Sequence, residues 1–87
     1  MNVKKIIAHW IESSDRDFKT MNILFNNRDY PWSLFVGHLV IEKLLKAYYV
    51  KKINEHPPLI HNLQRIAEKS GLKLTEEQKS YIVSFMF

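Results

Sequence analysis

The segment from Tyr30 to Tyr49, YPWSLFVGHLVIEKLLKAYY, decides the fold of this chain. It is apolar on most of its surface and long enough to predict an extended helix. His38, Glu42 and Lys46 interrupt the apolar residues at four-residue intervals, so they lie one above the other along that helix. Because buried polar groups need partners, we expect this row to face inward, toward a groove between helices or subunits.

The composition predicts one small helical domain spanning residues 1–87. The 87 residues, 46% hydrophobic and 25% charged, are close to the lower size limit for an independent core. The chain has two glycines, and it has no alternating apolar segments between turn residues, which predicts the all-α class. It has no cysteine, which fits a reducing cytoplasm and excludes disulfides and thiolate metal sites.

Net charge and hydropathy limit the classes of partner that the chain is expected to bind. No apolar run approaches the ~20 residues of a membrane span, so we expect no membrane partner. The net charge of +4 is compatible with a phosphate-bearing partner but does not require one. The thirteen Lys and Arg residues are scattered, with Lys4-Lys5 and Lys51-Lys52 as the only adjacent pairs. Most of them are expected on a solvated surface.

The first two helices are predicted from apolar periodicity and from their end signals. Helix one runs from about Val3 to Phe25, and Asn26-Asn27 is expected to end it in the left-handed conformation. Helix two begins near Tyr30, with Pro31 in its first turn, and continues to about Lys52.

The third helix is predicted to be short. The Pro57-Pro58 pair prevents helix two from continuing, and helix three then begins at Leu59 or His61 and ends near Lys69. Its inward-facing residues are expected to be Leu63, Ile66 and Ala67.

The fourth helix is predicted to start with a capping box at Thr75 and Gln78. Its apolar face continues to Phe87 without a stop signal. We therefore expect either that a second copy completes the core or that the natural protein is longer than these 87 residues. The residues of this apolar face are Tyr81, Ile82, Phe85 and Met86.

Three groups of residues together resemble a known family. They are Trp10 with Asp17, Phe35-x-x-His38-x-x-Ile41-Glu42-Lys43-x-Leu45-Lys46-Ala47, and Ile60-His61-Asn62-Leu63. The combination resembles the HEPN domain, the higher eukaryotes and prokaryotes nucleotide-binding domain, in particular the small prokaryotic type.

The resemblance implies an antiparallel up-and-down bundle of about four helices that forms a homodimer. It also implies a nucleotide- or RNA-binding accessory subunit that works with a separate minimal nucleotidyltransferase, in a toxin–antitoxin type of system. Members of the toxin branch are instead metal-independent endoribonucleases, with an arginine followed after four to six residues by a histidine. Neither Arg16, Arg28 nor Arg65 is followed by such a histidine, so an enzyme would need a motif beyond residue 87. A structural helical adaptor without a ligand is the third alternative.

The candidate ligand-binding residues are His38, Glu42, Lys46 and His61. Glu42 can accept hydrogen bonds from a ribose hydroxyl or a base amine, Lys46 can contact a phosphate, and His38 can bind either group. His61 would share their cleft. The structural alternative is that Glu42 and Lys46 form a polar seam that fixes helix packing, and that His61 anchors a loop.

We predict neither catalytic residues nor a cofactor within residues 1–87. His38 with Glu42, or His56 with His61, supplies too few convergent ligands for a metal ion. Asp17 interrupts the apolar face of helix one and is expected to pair with Lys46 of helix two, whereas Lys43 is expected in solvent or at an interface.

Overall fold

The chain folds into four helices in a computed structural model, which describes the backbone of residues 1–85 and the side chains of residues 1–80. No strand occurs in the described part of the chain, so the predicted all-α helical bundle is confirmed. Within the same residues, no helix is long and apolar enough to cross a membrane. The helices are α1 (Val3–Asn26), α2 (Tyr30–Ile53), α3 (Leu63–Lys69) and α4 (Glu76–Phe85).

Helices α1 and α2 form a long hairpin whose turn differs from the prediction. Asn26 and Asn27 were expected to adopt the left-handed conformation, but Asn27 has φ −87° and ψ 8°, and Arg28 is the residue with φ 63°. The physical reason is that Asn27 caps α1 in a near-helical conformation, donating from both its backbone N and its Nδ2 to the carbonyl of Ile23. Pro31 lies in the first turn of α2, as predicted.

Two buried serines hold the hairpin helices close together. Ser14 of α1 donates from Oγ to the carbonyl of Val40 at 3.1 Å, and Ser33 of α2 donates from Oγ to the carbonyl of Met21 at 3.0 Å. A small side chain at each contact lets the backbones approach, and the hydroxyl finds an acceptor on the facing helix. These contacts fix the register of α1 against α2.

The core lies where α3 packs against α2. Leu63, Ile66 and Ala67 of α3 are fully buried, as predicted, together with Val50 of α2. However, α3 begins at Leu63 and not at Leu59 or His61. The cause is the side chain of Asn62, which accepts a hydrogen bond from the backbone N of Arg65 and caps the helix there.

Helix α4 begins as the sequence predicts. Thr75 and Gln78 form a reciprocal capping box, with backbone-to-side-chain hydrogen bonds of 3.0 and 3.1 Å. The structure describes side chains only up to residue 80, so it does not test the predicted apolar face at Tyr81, Ile82, Phe85 and Met86. Phe87 also lies outside the described residues.

The α2–α3 core can be tested with a buried and an exposed leucine that are close in sequence. Replacing fully buried Leu63 with alanine is expected to lower the free energy of unfolding by about 2–5 kcal/mol, because the substitution leaves a cavity. Leu59→Ala, at an almost fully exposed position, should change it by about 0.5 kcal/mol or less. Urea denaturation followed by circular dichroism measures both. Equal effects of the two variants would contradict this assignment of the core.

Candidate functional site

The carboxylate of Glu42 is buried at the centre of a group of polar side chains. Glu42 is only 4% exposed. Its Oε1 lies 2.9 Å from Nδ1 of His61 and 3.7 Å from Nε2 of His38, and its Oε2 accepts a hydrogen bond from Nζ of Lys46 at 3.3 Å. A carboxylate can only accept, so Nδ1 of His61 is the donor in the shortest of these contacts. We call His38, Glu42, Lys46 and His61 the Glu42 cluster.

Lys46 extends the cluster to α1. It is 5% exposed, and its Nζ lies 5.2 Å from the centroid of the Trp10 ring. An ammonium over an indole face is attracted by the negative potential of the ring. The buried ammonium therefore has an anionic partner on its own helix and an aromatic partner on the facing helix. Trp10 was not among the predicted site residues.

His61 forms the exposed edge of the cluster. It lies in the segment between α2 and α3, and its side chain is 81% exposed although Nδ1 contacts the buried carboxylate. The other three members come from successive turns of α2. The structure therefore brings all four predicted site residues together, and the polar row of α2 faces inward as expected.

The ion pairing along the hairpin differs from the prediction. Asp17 was expected to pair with Lys46, but its Oδ2 lies 2.5 Å from Nζ of Lys43. Lys43 was expected in solvent or at an interface, and it instead bridges α2 to α1. The physical reason is that Lys46 is already paired with Glu42 on its own helix, whereas Lys43 projects toward Asp17.

This geometry limits what the cluster can do. The carboxylate and the ammonium neutralise each other and are both buried, so solvent reaches the cluster chiefly through His61. Among the described residues, no group of three potential ligands is arranged to hold a metal ion. The cluster offers a fixed, exposed imidazole backed by a buried carboxylate. Such a group can exchange hydrogen bonds with a polar ligand.

Comparison with protein families identifies the fold. The sequence model of the HEPN domain family matches residues 7–86, a range that contains the whole Glu42 cluster. The chain belongs to the HEPN family. HEPN domains often form dimers and bind RNA, so membership implies a nucleotide- or RNA-related function. Comparison with curated proteins and with solved structures gave no match.

The role of the Glu42–Lys46 pair in this HEPN domain can be measured with a double-mutant cycle. Glu42→Leu alone leaves a buried ammonium without its carboxylate, and Lys46→Met alone leaves a buried carboxylate without its ammonium. Each single variant should lose about 3–5 kcal/mol of unfolding free energy. The double variant should lie within about 1 kcal/mol of the wild type, because neither charge remains buried. Additive losses in urea denaturation would show that the two residues act independently.

Proposed function

We propose that this chain is a nucleotide- or RNA-binding accessory subunit that works with a separate nucleotidyltransferase in a toxin–antitoxin type of system. The observation that carries the proposal is the Glu42 cluster, where a buried carboxylate holds an exposed imidazole in one orientation within a HEPN domain. The proposed ligand-binding residues are His38, Glu42, Lys46 and His61.

The contact with Glu42 sets the chemistry that His61 offers to a ligand. Because Nδ1 donates to the carboxylate, Nε2 of the neutral ring is an acceptor. The exposed side of the ring can therefore accept a hydrogen bond from a ribose hydroxyl or a base amine. When the ring is protonated, Nε2 becomes a donor for a phosphate oxygen, and the carboxylate behind the ring balances its charge.

Arg65 and the net positive charge of the chain favour an anionic ligand. Arg65 is exposed in the first turn of α3, four positions after His61, and its guanidinium can contact a phosphate with two parallel hydrogen bonds. The net charge of +4 also attracts a polyanion over a longer range. These features support a ligand that combines phosphate with hydroxyl or amine groups, as nucleotides and RNA do.

Ligand binding at His61 can be tested with a matched pair of histidines from the same loop. ATP and a short single-stranded RNA are titrated against the wild type, His61→Ala and His56→Ala, with fluorescence anisotropy as the measurement. His61→Ala should weaken binding roughly tenfold to a hundredfold, because a hydrogen bond to a charged group contributes about 1.5–3 kcal/mol. His56→Ala should bind like the wild type, because exposed His56 lies outside the cluster.

The salt dependence of RNA binding distinguishes phosphate contacts from the other contributions to affinity. Binding of the RNA should weaken as the salt concentration rises, and Arg65→Ala should reduce the slope of that dependence. A wild type that binds neither ATP nor RNA at about 1 mM would overturn the ligand proposal and leave a helical adaptor.

The proposed partner requires a separate experiment. The tagged chain is co-expressed with a nucleotidyltransferase encoded beside its gene and purified by size exclusion. We expect the two proteins to elute together in a defined ratio. Separate elution, with nucleotide binding intact, would contradict the accessory role without affecting the binding site.

A further inference from the structure

Two large aromatic side chains are exposed close to the start of α2. Trp32 is 60% exposed and Phe35 is 54% exposed. Their ring centroids lie 5.7 Å apart with an interplanar angle of 85°, so the edge of one ring meets the face of the other. Each ring therefore keeps part of its surface open to a ligand. We call Trp32 and Phe35 the aromatic pair.

The aromatic pair lies on the same side of α2 as the Glu42 cluster. At 100° per residue, Phe35 is about 20° around the helix from Glu42. By the same geometry, Trp32 is about 40° from Lys46. At a rise of 1.5 Å per residue, Glu42 lies about 10 Å along α2 from Phe35 and about 15 Å from Trp32. His38 occupies the turn between Phe35 and Glu42, so the pair and the cluster follow one another along this side.

An arginine is available near each end of this side of α2. Arg28 is exposed in the turn before α2, four residues before Trp32. Arg65 is exposed in the first turn of α3, four residues after His61. A guanidinium group can contact a phosphate through two parallel hydrogen bonds. The two arginines therefore suit a ligand with several phosphates that runs along α2 between His61 and Trp32.

The carboxylates near the aromatic pair are paired or half-buried. Glu42 and Asp17 are each paired with a lysine of α2. Asp29 is the N-cap residue of α2 and is half-buried. Residues 30–41 of α2 contain neither aspartate nor glutamate. Repulsion of a phosphate chain along this side is therefore weak.

We propose that the ligand of the Glu42 cluster is a single-stranded RNA segment of about three or more nucleotides, whose bases stack on Trp32 and Phe35. This inference rests on the proposed function, because the cluster supplies the polar end of the same site. Stacked bases are spaced by about 3.4 Å, so the roughly 10 Å between Glu42 and Phe35 corresponds to about three bases. A mononucleotide at His61 has one base and does not reach the aromatic pair as well.

The chemistry of the aromatic pair favours bases that are not in a duplex. A base in a duplex is stacked between its neighbours, so only an unpaired base can present its face to a side chain. Edge-to-face packing holds the two rings of the pair in a fixed orientation before the ligand arrives. Every base has a π-face, so this contact adds affinity without requiring a particular sequence.

An apolar protein segment is the other class of partner that could cover the two rings. Burial of hydrocarbon depends on apolar area, whatever the shape of the side chain. Stacking of a base depends on a flat aromatic face. A substitution that keeps an apolar side chain but removes the aromatic face therefore distinguishes the two partners.

The first experiment compares matched substitutions of the aromatic pair. Phe35→Tyr keeps the aromatic face, whereas Phe35→Leu keeps only an apolar side chain. Fluorescence anisotropy measures binding of a labelled oligouridylate of about eight nucleotides. Phe35→Tyr should bind within about twofold of the wild type, and Phe35→Leu at least about fivefold more weakly, the lower end of the effect of losing one stacked base. Trp32→Phe and Trp32→Leu repeat the comparison at the second ring.

ATP and an aromatic residue elsewhere on the hairpin provide the controls. In Phe35→Leu, the affinity for the oligouridylate relative to that for ATP should fall at least about fivefold, because one base at His61 does not reach the pair. Phe18→Leu removes a ring that is 51% exposed, and it should bind the RNA like the wild type. Phe18 is seven residues before Phe25, which borders a cavity with Tyr30, about 140° around α2 from Phe35.

The second experiment uses the wild type alone. An RNA of mixed sequence and about twelve nucleotides is titrated as a single strand and as a duplex with its complement. Both titrations use the same salt concentration, because phosphate contacts depend on salt. The single strand should bind at least about tenfold more tightly, although the duplex carries about twice as many phosphates.

Four results would overturn this inference. Leucine variants that bind RNA like the wild type would exclude stacking, and equal losses in Phe35→Tyr and Phe35→Leu would show that the aromatic face is not what the ligand contacts. A duplex that binds as tightly as the single strand would exclude unpaired bases, and this comparison decides if circular dichroism shows that the leucine variants do not fold. A wild type that binds ATP but no RNA would remove this inference and leave nucleotide binding intact, whereas binding of neither would remove both.

Discussion

The burial of the Glu42 carboxylate is the constraint on which the arrangement of the helices depends. A carboxylate removed from water costs several kcal/mol unless charged or hydrogen-bonding partners replace its hydration. Glu42 obtains these partners from Lys46 on its own helix and from His61 in the segment between α2 and α3. Lys46 in turn lies over the ring of Trp10 on α1. One buried charge thereby connects α1, α2 and the segment that leads into α3.

Local signals in the sequence were sufficient for most of the fold. Pro31 marks the start of α2, and the Thr75–Gln78 capping box marks the start of α4, because each signal acts within one helical turn. The predicted start of α3 was wrong because the loop offers several plausible first helical residues. Only the hydrogen bond that the Asn62 side chain accepts in the folded protein distinguishes them. The left-handed conformation was assigned to the wrong residue for a similar reason. Asn27 caps α1, and Arg28 adopts the left-handed conformation where the chain turns toward α2.

The candidate site also has some features that the local sequence predicts and others that depend on how the helices pack. A four-residue spacing was enough to place His38, Glu42 and Lys46 in one inward row, and His61 joined them as predicted. The sequence could not decide which lysine meets Asp17, because Lys43 and Lys46 are three residues apart on the same helix. That choice depends on the register between α1 and α2, which Ser14 and Ser33 fix through carbonyls of the facing helix. Trp10 was missed because its contact with Lys46 depends on the same register.

The polar row of α2 helps to decide on which side of the α1–α2 hairpin helix α3 packs. Helix α2 is apolar nearly all round, since it packs against both α1 and α3 and also carries apolar residues on an exposed side, such as Tyr30, Leu34 and Leu44. An entirely apolar helix would let α3 dock on either open side, because burial of hydrocarbon has no preferred direction. The row of Glu42 and Lys46 removes that ambiguity, since only a segment that carries His61 past the carboxylate satisfies it. A buried ion pair often adds little net stability, and its effect here is to distinguish the side that takes α3 from the side left open.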